Sequence, residues 1–158
     1  MELHSLTAHQ LLDLISRNKT SPKEVVRGLF KRIEKIEDKV KAFCLLDKKD
    51  VLSQCERLEK RSSKRGGLFG IPVVVKDNIC VEGQDTTCAS WILKEFKPPY
   101  DATCVHRLKK EGAIIFAKAN MDEFAFGSSS ETSCYGPTHN PWDLKRNPQE
   151  TLLPERNG

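Results

Sequence analysis

The chain has 158 residues, 38% of them apolar and 30% charged, with a formal net charge of +4. That balance describes one ordinary globular domain with a sizeable core and excludes a disordered chain. Apolar runs such as residues 71–75, which contains Pro72, are too short to span a bilayer. Met1-Glu2-Leu3-His4 lacks the basic-then-apolar order of a secretory signal, so a cytoplasmic protein with no membrane contact is expected.

The charge is uneven. Residues 1–65 hold 16 Lys+Arg against 10 Asp+Glu, while residues 66–158 hold 10 against 12. The basic first segment either faces an acidic partner such as RNA or is the solvated face of helices. Six cysteines, at 44, 55, 80, 88, 104 and 134, show no C-x-x-C spacing, and the four histidines do not flank them. Reduced thiols and no metal site are therefore expected.

Thr7-Ala8-His9-Gln10 has capping-box spacing ahead of Leu11, Leu12, Leu14 and Ile15, which predicts a helix over 7–17. Ser21-Pro22-Lys23-Glu24 is a second start signal. The stripe Val25, Val26, Leu29, Phe30, Ile33 and Ile36 predicts a helix over 22–40. Residues 42–46 read as a short buried strand, and Val51, Leu52, Cys55 and Leu58 as another amphipathic helix. Residues 61–67 read as a polar loop.

From Gly70 the texture changes. Residues 71–75 read as a strand buried on both faces, with Pro72 near its start. Residues 101–111 read as a helix capped by Asp101 and closed by Gly112. Residues 113–117 read as a second buried strand, neighbour or near neighbour to the first. Asn120 reads as the cap of a short helix over 121–126, and residues 127–141 as a loop rich in small polar residues. The alternation predicts an α/β layer fold, a mixed sheet flanked by helices. Its organisation is a helical segment at 1–65, an α/β core at 66–146 and a tail at 147–158.

Lys76 closes the strand at 71–75 and precedes Asp77-Asn78. A lysine at the rim of a sheet stands where α/β sites collect, and desolvation there would lower its pKa and fit it to act as a base. The plainer reading is a surface lysine paired with Asp77.

Several ordered blocks resemble the amidase-signature family. Gly70-Ile71-Pro72-Val73-Val74-Val75-Lys76-Asp77-Asn78 is similar to its G-I-P-hydrophobic-K-D-N segment, and Thr86-Thr87-Cys88-Ala89-Ser90 to its T-T-x-A-S. Pro98-Pro99-Tyr100-Asp101-Ala102-Thr103 resembles the family segment that precedes a helix. Lys118-Ala119-Asn120-Met121-Asp122-Glu123-Phe124-Ala125, Gly127-Ser128-Ser129-Ser130 and Asn140-Pro141-Trp142-Asp143 follow in family order. Within the family, the M-D-E-F-A-x-G-S-S and G-P-T-x-N-P-W-D blocks resemble the branch that serves tRNA-dependent amidotransferases.

The resemblance implies a fold, the N-terminal portion of the amidase-signature α/β architecture, and a chemistry. The family uses a Ser–Ser–Lys triad: lysine passes protons through a bridging serine to a nucleophilic serine, which attacks a carboxamide and releases ammonia. Glycine-rich backbone N–H groups hold the oxyanion. Lys76 matches the triad lysine, and Gly127, Ser128, Ser129 and Ser130 are candidate substrate-binding residues. The branch implies glutamine as substrate and ammonia for converting Glu-tRNA(Gln) or Asp-tRNA(Asn) to Gln-tRNA(Gln) or Asn-tRNA(Asn). It also implies two partners, a tRNA-binding subunit and a small third subunit, and only indirect contact with aminoacyl-tRNA. No metal or organic cofactor is expected in this chain. ATP and Mg are expected in the partner that binds tRNA, and no G-x-x-x-x-G-K-[ST] loop occurs here.

The family segments that carry the bridging and nucleophilic serines find no match after Arg146. Instead the chain reads Asn147-Pro148-Gln149-Glu150-Thr151-Leu152-Leu153-Pro154. Taking each codon's last base with the next codon's first two, from Pro148 onward, permits Pro, Gly, Asp/Asn, Ser, Ser, a small residue and Gly. A shift of reading frame at or before Pro148 is the expectation, and with it an inactive chain. Two other readings stay open: a stand-alone amidase acting on small amides, and a non-catalytic fragment.

Overall fold

The structure, a computed structural model, describes residues 2–60 and 66–148. Most of the loop expected at 61–67, and the tail beyond Pro148, lie outside the described residues. Four α-helices and three strands follow in the order α1 (Ala8–Ser16), α2 (Pro22–Val40), β1 (Phe43–Leu45), α3 (Lys48–Glu59), β2 (Pro72–Lys76), α4 (Thr103–Lys110) and β3 (Ile114–Ala119). The strand order is β1-β3-β2. β1 pairs antiparallel with β3, Phe43 opposite Ala119 and Leu45 opposite Lys118, across an irregularity in register. Gly70 N–H donates to Gly112 O and Ile114 N–H to Ile71 O, both at 2.9 Å. Partners therefore advance together along β2 and β3, the parallel sense, and α4 is the crossover. The sheet is mixed, as expected, and the two strands expected to be neighbours or near neighbours are neighbours.

The chain divides into two compact units. Unit 1 comprises residues 1–35, 46–75 and 101–117. Both of its predicted helix starts form. Thr7 Oγ1 accepts from Gln10 N–H while Gln10 Oε1 accepts from Thr7 N–H, and Ser21 and Glu24 repeat the exchange at 3.2 and 2.8 Å. Two otherwise unpaired donors are satisfied at each end. The α2 stripe buries Val25, Val26 and Phe30, and Phe30 stacks on Phe116 with ring centroids 5.3 Å apart. Each such side chain contributes roughly 1.5–3 kcal/mol by leaving water.

α3 adds Val51, Cys55 and Leu58 to this interior, with Asp47 capping through Lys49 N–H and Asp50 N–H. Gln54, on the same helix, is buried although its sequence position does not suggest it. Its Oε1 accepts from Ile115 N–H and its Nε2 donates to Ile115 O, both at 2.9 Å. The side-chain amide thus stands in for a strand, because β1 pairs with β3 only at Lys118 and Ala119. An unpaired buried backbone pair there would be costly.

Four expectations need correction. β2 is not buried on both faces: Val75 is enclosed on one face, but Val74, which points to the other, is 42% exposed because that face is left uncovered. β1 is half-buried rather than buried. Asp101 does not cap α4, whose N-cap is Ala102 with no side-chain bond; the Asp101 carboxylate is taken by Lys109 Nζ at 2.7 and 2.8 Å. The helix expected over 121–126 is a single 3-10 turn at Glu123–Ala125, broken by left-handed backbone at Phe124 (φ 49°). Gly112 does close α4. With φ +85° it lets Ala113 N–H reach Leu108 O and its own N–H reach Lys109 O, the paired closure that favours glycine after a helix.

Unit 2 comprises residues 36–45, 76–100 and 118–158. It is mostly loop, and its interior is polar. Asp77, Thr86, Thr87, Ser90, Lys118, Asp122, Ser133 and Asn140 are all buried there.

Candidate active site

The end of β2 sets the site. Along this strand Val74 and Lys76 are exposed while Val75 and Asp77 are buried, the alternation a strand imposes on successive side chains. Lys76 therefore projects outward and Asp77 inward. Lys76 is a surface lysine, not the desolvated one expected at the sheet rim, because its face of β2 is open, but it is not paired with Asp77 as the plainer reading had it. Among the described residues Lys76 makes no side-chain hydrogen bond or ion pair. The partner of Asp77 is Lys118 on β3, its Nζ 3.3 Å from Asp77 Oδ1, with the two side chains 0% and 1% exposed. Asp77 Oδ1 accepts no hydrogen bond, so charge alone joins the pair at that oxygen. Lys118 Nζ donates instead to Thr86 Oγ1 at 3.0 Å.

The other oxygen of Asp77 organises the segment 87–89. Asp77 Oδ2 accepts from Thr87 Oγ1 at 2.6 Å, Thr87 N–H at 3.1 Å and Ala89 N–H at 3.2 Å. Cys88 and Ala89 are both left-handed, with φ of 51° and 52°. That conformation costs a non-glycine residue roughly 1–2 kcal/mol and turns successive N–H groups toward one acceptor. Phe124 N–H donates to Cys88 O, and Cys134 N–H to Ala89 O. Tyr135 Oη, held as a neutral phenol by burial, donates to Thr87 Oγ1 at 3.2 Å. The T-T-C-A-S block is thus the frame on which the later loop is hung.

Asn120 and Asp122 shape that loop. Asn120 Nδ2 donates to Lys41 O and Gly136 O, and its Oδ1 accepts from Met121 N–H and Ser133 Oγ. Asp122 is buried and accepts from Ser130 N–H at 2.8 Å and Thr132 Oγ1 at 3.0 Å. Burial alone would raise its pKa, but bonds from the backbone at Ser129, Ser130 and Thr132 and from the Thr132 hydroxyl hold it below the usual carboxylate range.

A cavity of about 210 Å³ opens within unit 2, lined by Lys76, Met121, Asp122, Ala125, the four residues 127–130 and Pro148. It brings together every residue picked out from the sequence: Lys76 with Gly127, Ser128, Ser129 and Ser130. Ser129 Oγ donates to Glu131, and Ser130 Oγ donates to Ser129 O and accepts from Thr138 N–H. Among the described residues the Ser128 hydroxyl has no partner and remains open to a ligand.

Four of the six cysteines are poor competing nucleophiles. All six are free. Burial first, and then the negative charge of Asp77, pushes up the thiols of Cys44, Cys88 and Cys134. Burial pushes Cys55 up to about 11. These four stay protonated and unreactive. Among the described residues no three His, Cys, Asp or Glu side chains gather closely enough to hold a metal ion, and no helix is long and apolar enough to cross a membrane.

Two residues of the site are not evident from the sequence: Lys118 as the partner of Asp77, and Asp122 as the centre of the loop. Both stand inside resembling blocks, yet nothing in spacing or periodicity separates a buried charge from a solvated one.

Comparison with known proteins supplies the family and supports the fold. The chain is 51% identical over 148 residues to a glutamyl-tRNA(Gln) amidotransferase subunit of Halothermothrix orenii, covering 94% of this chain and 30% of that protein. The crystal structure of the same amidotransferase subunit from Thermotoga maritima superposes with a TM-score of 0.75 at 37% identity, over 94% of this chain and 30% of that one. A crystal structure of an amidase superposes with a TM-score of 0.78 at 30% identity, over 90% of this chain and 33% of that one. The chain therefore spans about 30% of the length of the curated relatives it matches. The amidase family model matches residues 24–148, a stretch that takes in Lys76, the Asp77–Lys118 pair and the whole cavity wall, and on that match the chain belongs to the amidase family.

Proposed function

We propose that this chain is the N-terminal part of the glutamine-hydrolysing subunit of a tRNA-dependent amidotransferase, with Lys76 as its proton-transferring base. The observation that carries the reading is the shared cavity: the lysine of the K-D-N segment faces a wall of small polar residues, Gly127 to Ser130, wide enough for a carboxamide side chain. The identity to the amidotransferase subunit of Halothermothrix orenii supports glutamine over other amides. In this reading Lys76 takes the proton of a bridging serine, that serine activates the nucleophile, and ammonia leaves as a glutamyl ester forms; water then hydrolyses the ester. The exposed position of Lys76 fits a group awaiting the covering segments that carry both serines. ATP and magnesium belong to the tRNA-binding partner, and a small third subunit completes the assembly.

The test uses two proteins. The 158-residue chain should release no ammonia from glutamine, because neither serine segment lies within it. A hybrid in which residues 1–146 replace the matching segment of the Halothermothrix orenii relative should be active, and Lys76→Ala in it should cost about two to four orders of magnitude in rate. Near-normal turnover by Lys76→Ala would make the lysine structural. A hybrid that hydrolyses small amides but not glutamine would favour a stand-alone amidase.

A further inference from the structure

We infer that Asp122 is a positioning residue: its buried carboxylate is the fixed post around which the loop at 127–132 is wrapped, and it sets the shape of the cavity wall facing Lys76. Three observations from independent atoms carry this. First, the residue is 6% exposed and both carboxylate oxygens are engaged, Oδ2 by Ser130 N–H at 2.8 Å and Oδ1 by Thr132 Oγ1 at 3.0 Å, with Thr132 N–H at 3.4 Å. Second, Gly127 lies so close that an added Cβ would stand 2.5 Å from Asp122 Cγ and 2.6 Å from Oδ1. The backbone therefore reaches the carboxylate only because a glycine is there. Third, Asp122 itself and the residues it holds, Gly127, Ser129 and Ser130, line one cavity with Lys76.

The chemistry explains why a carboxylate is used. The loop has no helix or strand of its own between Phe126 and Asn140, so its N–H groups need acceptors from elsewhere. One carboxylate offers about four lone-pair sites, and charge-assisted bonds are stronger and shorter than neutral ones. An asparagine would keep one acceptor oxygen and lose the second. Alanine would leave the Ser130 and Thr132 donors facing an empty space. In both cases the loop loses its anchor while the Lys76 side chain is untouched.

The structural half of the inference stands by itself; the kinetic half rests on the amidase reading above. Amide hydrogen exchange is measured first, on the chain and on the hybrid. Asp122→Ala should speed exchange at Ser129, Ser130 and Thr132 by at least about tenfold, with Asp122→Asn in between, while Ile114, Ile115 and Phe116 on β3 keep their protection. Loop protection in the wild type, taken relative to the intrinsic exchange rate at each pH, should also fall as pH is lowered through the titration of Asp122. If Asp122→Ala strips protection from β3 as well, Gly127→Ala carries the test, because it crowds the carboxylate without removing it. Unchanged loop exchange in these variants overturns the inference. In an active hybrid, Asp122→Ala should raise the KM for glutamine about 10- to 100-fold with kcat nearly unchanged, as expected when binding is lost equally from the ground state and the transition state. An unchanged KM with a loosened loop would restrict Asp122 to folding and overturn its role in the cavity. A hybrid with no turnover, but with Asp122-dependent loop protection, would count against the amidase reading and not against the wrapped loop.

Discussion

The two units of this chain are held together by different physics. Unit 1 is an apolar interior: Val25, Val26, Phe30, Val51, Ile114 and Ile115 are almost fully enclosed, and Gln54 is the one buried polar side chain there among the described residues. Unit 2 reverses the proportions. Its buried hydrophobics are Val40, Val81, Ala89 and Met121, set among eight buried polar residues. Helices and strands satisfy most of their own backbone groups, so unit 1 needs side chains mainly to fill space, with Gln54 and the helix caps as its polar exceptions. Unit 2 is loop, and its N–H groups are collected by a few acceptors, Asp77 Oδ2, Asn120 Oδ1 and Asp122. Packing tolerates substitutions of similar volume, whereas a polar hub fails when one partner is lost. The candidate site lies in the unit built on hubs, which is where strained backbone such as that at Cys88 and Ala89 is found.

The largest expected effect on stability comes from breaking the hub at Asp77. Lys118→Met removes the cation from a pair that is 0% and 1% exposed. An uncompensated buried carboxylate should then cost roughly 3–5 kcal/mol, read as a shift in the urea midpoint. Adding Asp77→Asn should recover much of the loss, since Asn keeps one acceptor for Thr87 and Ala89 without the charge. Adding Asp77→Leu should not, because those N–H donors would be left unsatisfied. Equal recovery by both would show that the pair is merely tolerated and that the comparison between the units is wrong.

The corresponding break in unit 1 is of similar size but different character. Phe30→Ala removes a ring that is 6% exposed and stacked on Phe116. A cavity of that kind costs about 3–5 kcal/mol. Phe30→Leu should recover part of the loss by volume, short of what the Lys48 ammonium 5.7 Å from the ring centroid contributes, and with no dependence on pH in the acid range. A pH-dependent deficit in Phe30→Ala, measured by thermal melts across the acid range, would break the contrast.

The same contrast explains what was legible in the sequence. The period of the α2 stripe and the caps at Thr7 and Ser21 are local signals, and the structure returns Ala8–Ser16 and Pro22–Val40 almost as expected. Residues 113–117 read as a strand because five apolar positions are consecutive, and β3 is buried along that run. Lys76 stands out in the sequence through its place at a strand end and the blocks around it, and the structure puts it on the cavity wall. What stayed hidden depends on tertiary partners. Val74 looks as buried as Val75 in sequence and differs because it points to the opposite, uncovered face of β2. Asp101 looks like a cap until Lys109, eight residues on, takes its carboxylate. Lys118 is one lysine among many until it is found buried against Asp77.

A smaller effect tests the locality of those helix signals. Ser21→Ala removes the acceptor for Glu24 N–H, a bond of 3.2 Å, and leaves Glu24 Oε2 still accepting from Ser21 N–H. The loss should be about 1 kcal/mol, visible as a drop in melting temperature with the spectrum of the folded state unchanged. A loss several times larger would mean that the start of α2 is fixed by more than its own cap.

The smallest effects are two opposed pH dependences within unit 2. Glu37 is pushed up in pKa by burial, a shift only partly offset by the N–H groups of Phe43 and Ala42 that its carboxylate accepts, the first at 2.8 Å. A raised carboxyl favours folding when protonated: its contribution is complete below the unfolded value of about 4.3 and is lost as pH rises through the folded pKa. Asp122 is lowered, so its contribution is present above the unfolded value of about 3.9 and is lost as pH falls through the folded pKa. Glu37→Gln should therefore stabilise slightly at about pH 7, by less than about 1 kcal/mol for a partly exposed charge, with the gain fading toward about pH 4. Asp122→Asn should do the reverse, destabilising at about pH 7 and converging on the wild type as the pH falls. Melting temperatures of the three proteins across that range should form curves of opposite slope relative to the wild type. Parallel curves would mean that neither carboxylate is held as its hydrogen bonds indicate, and unit 2 would then be a set of packed loops with no acceptor hubs.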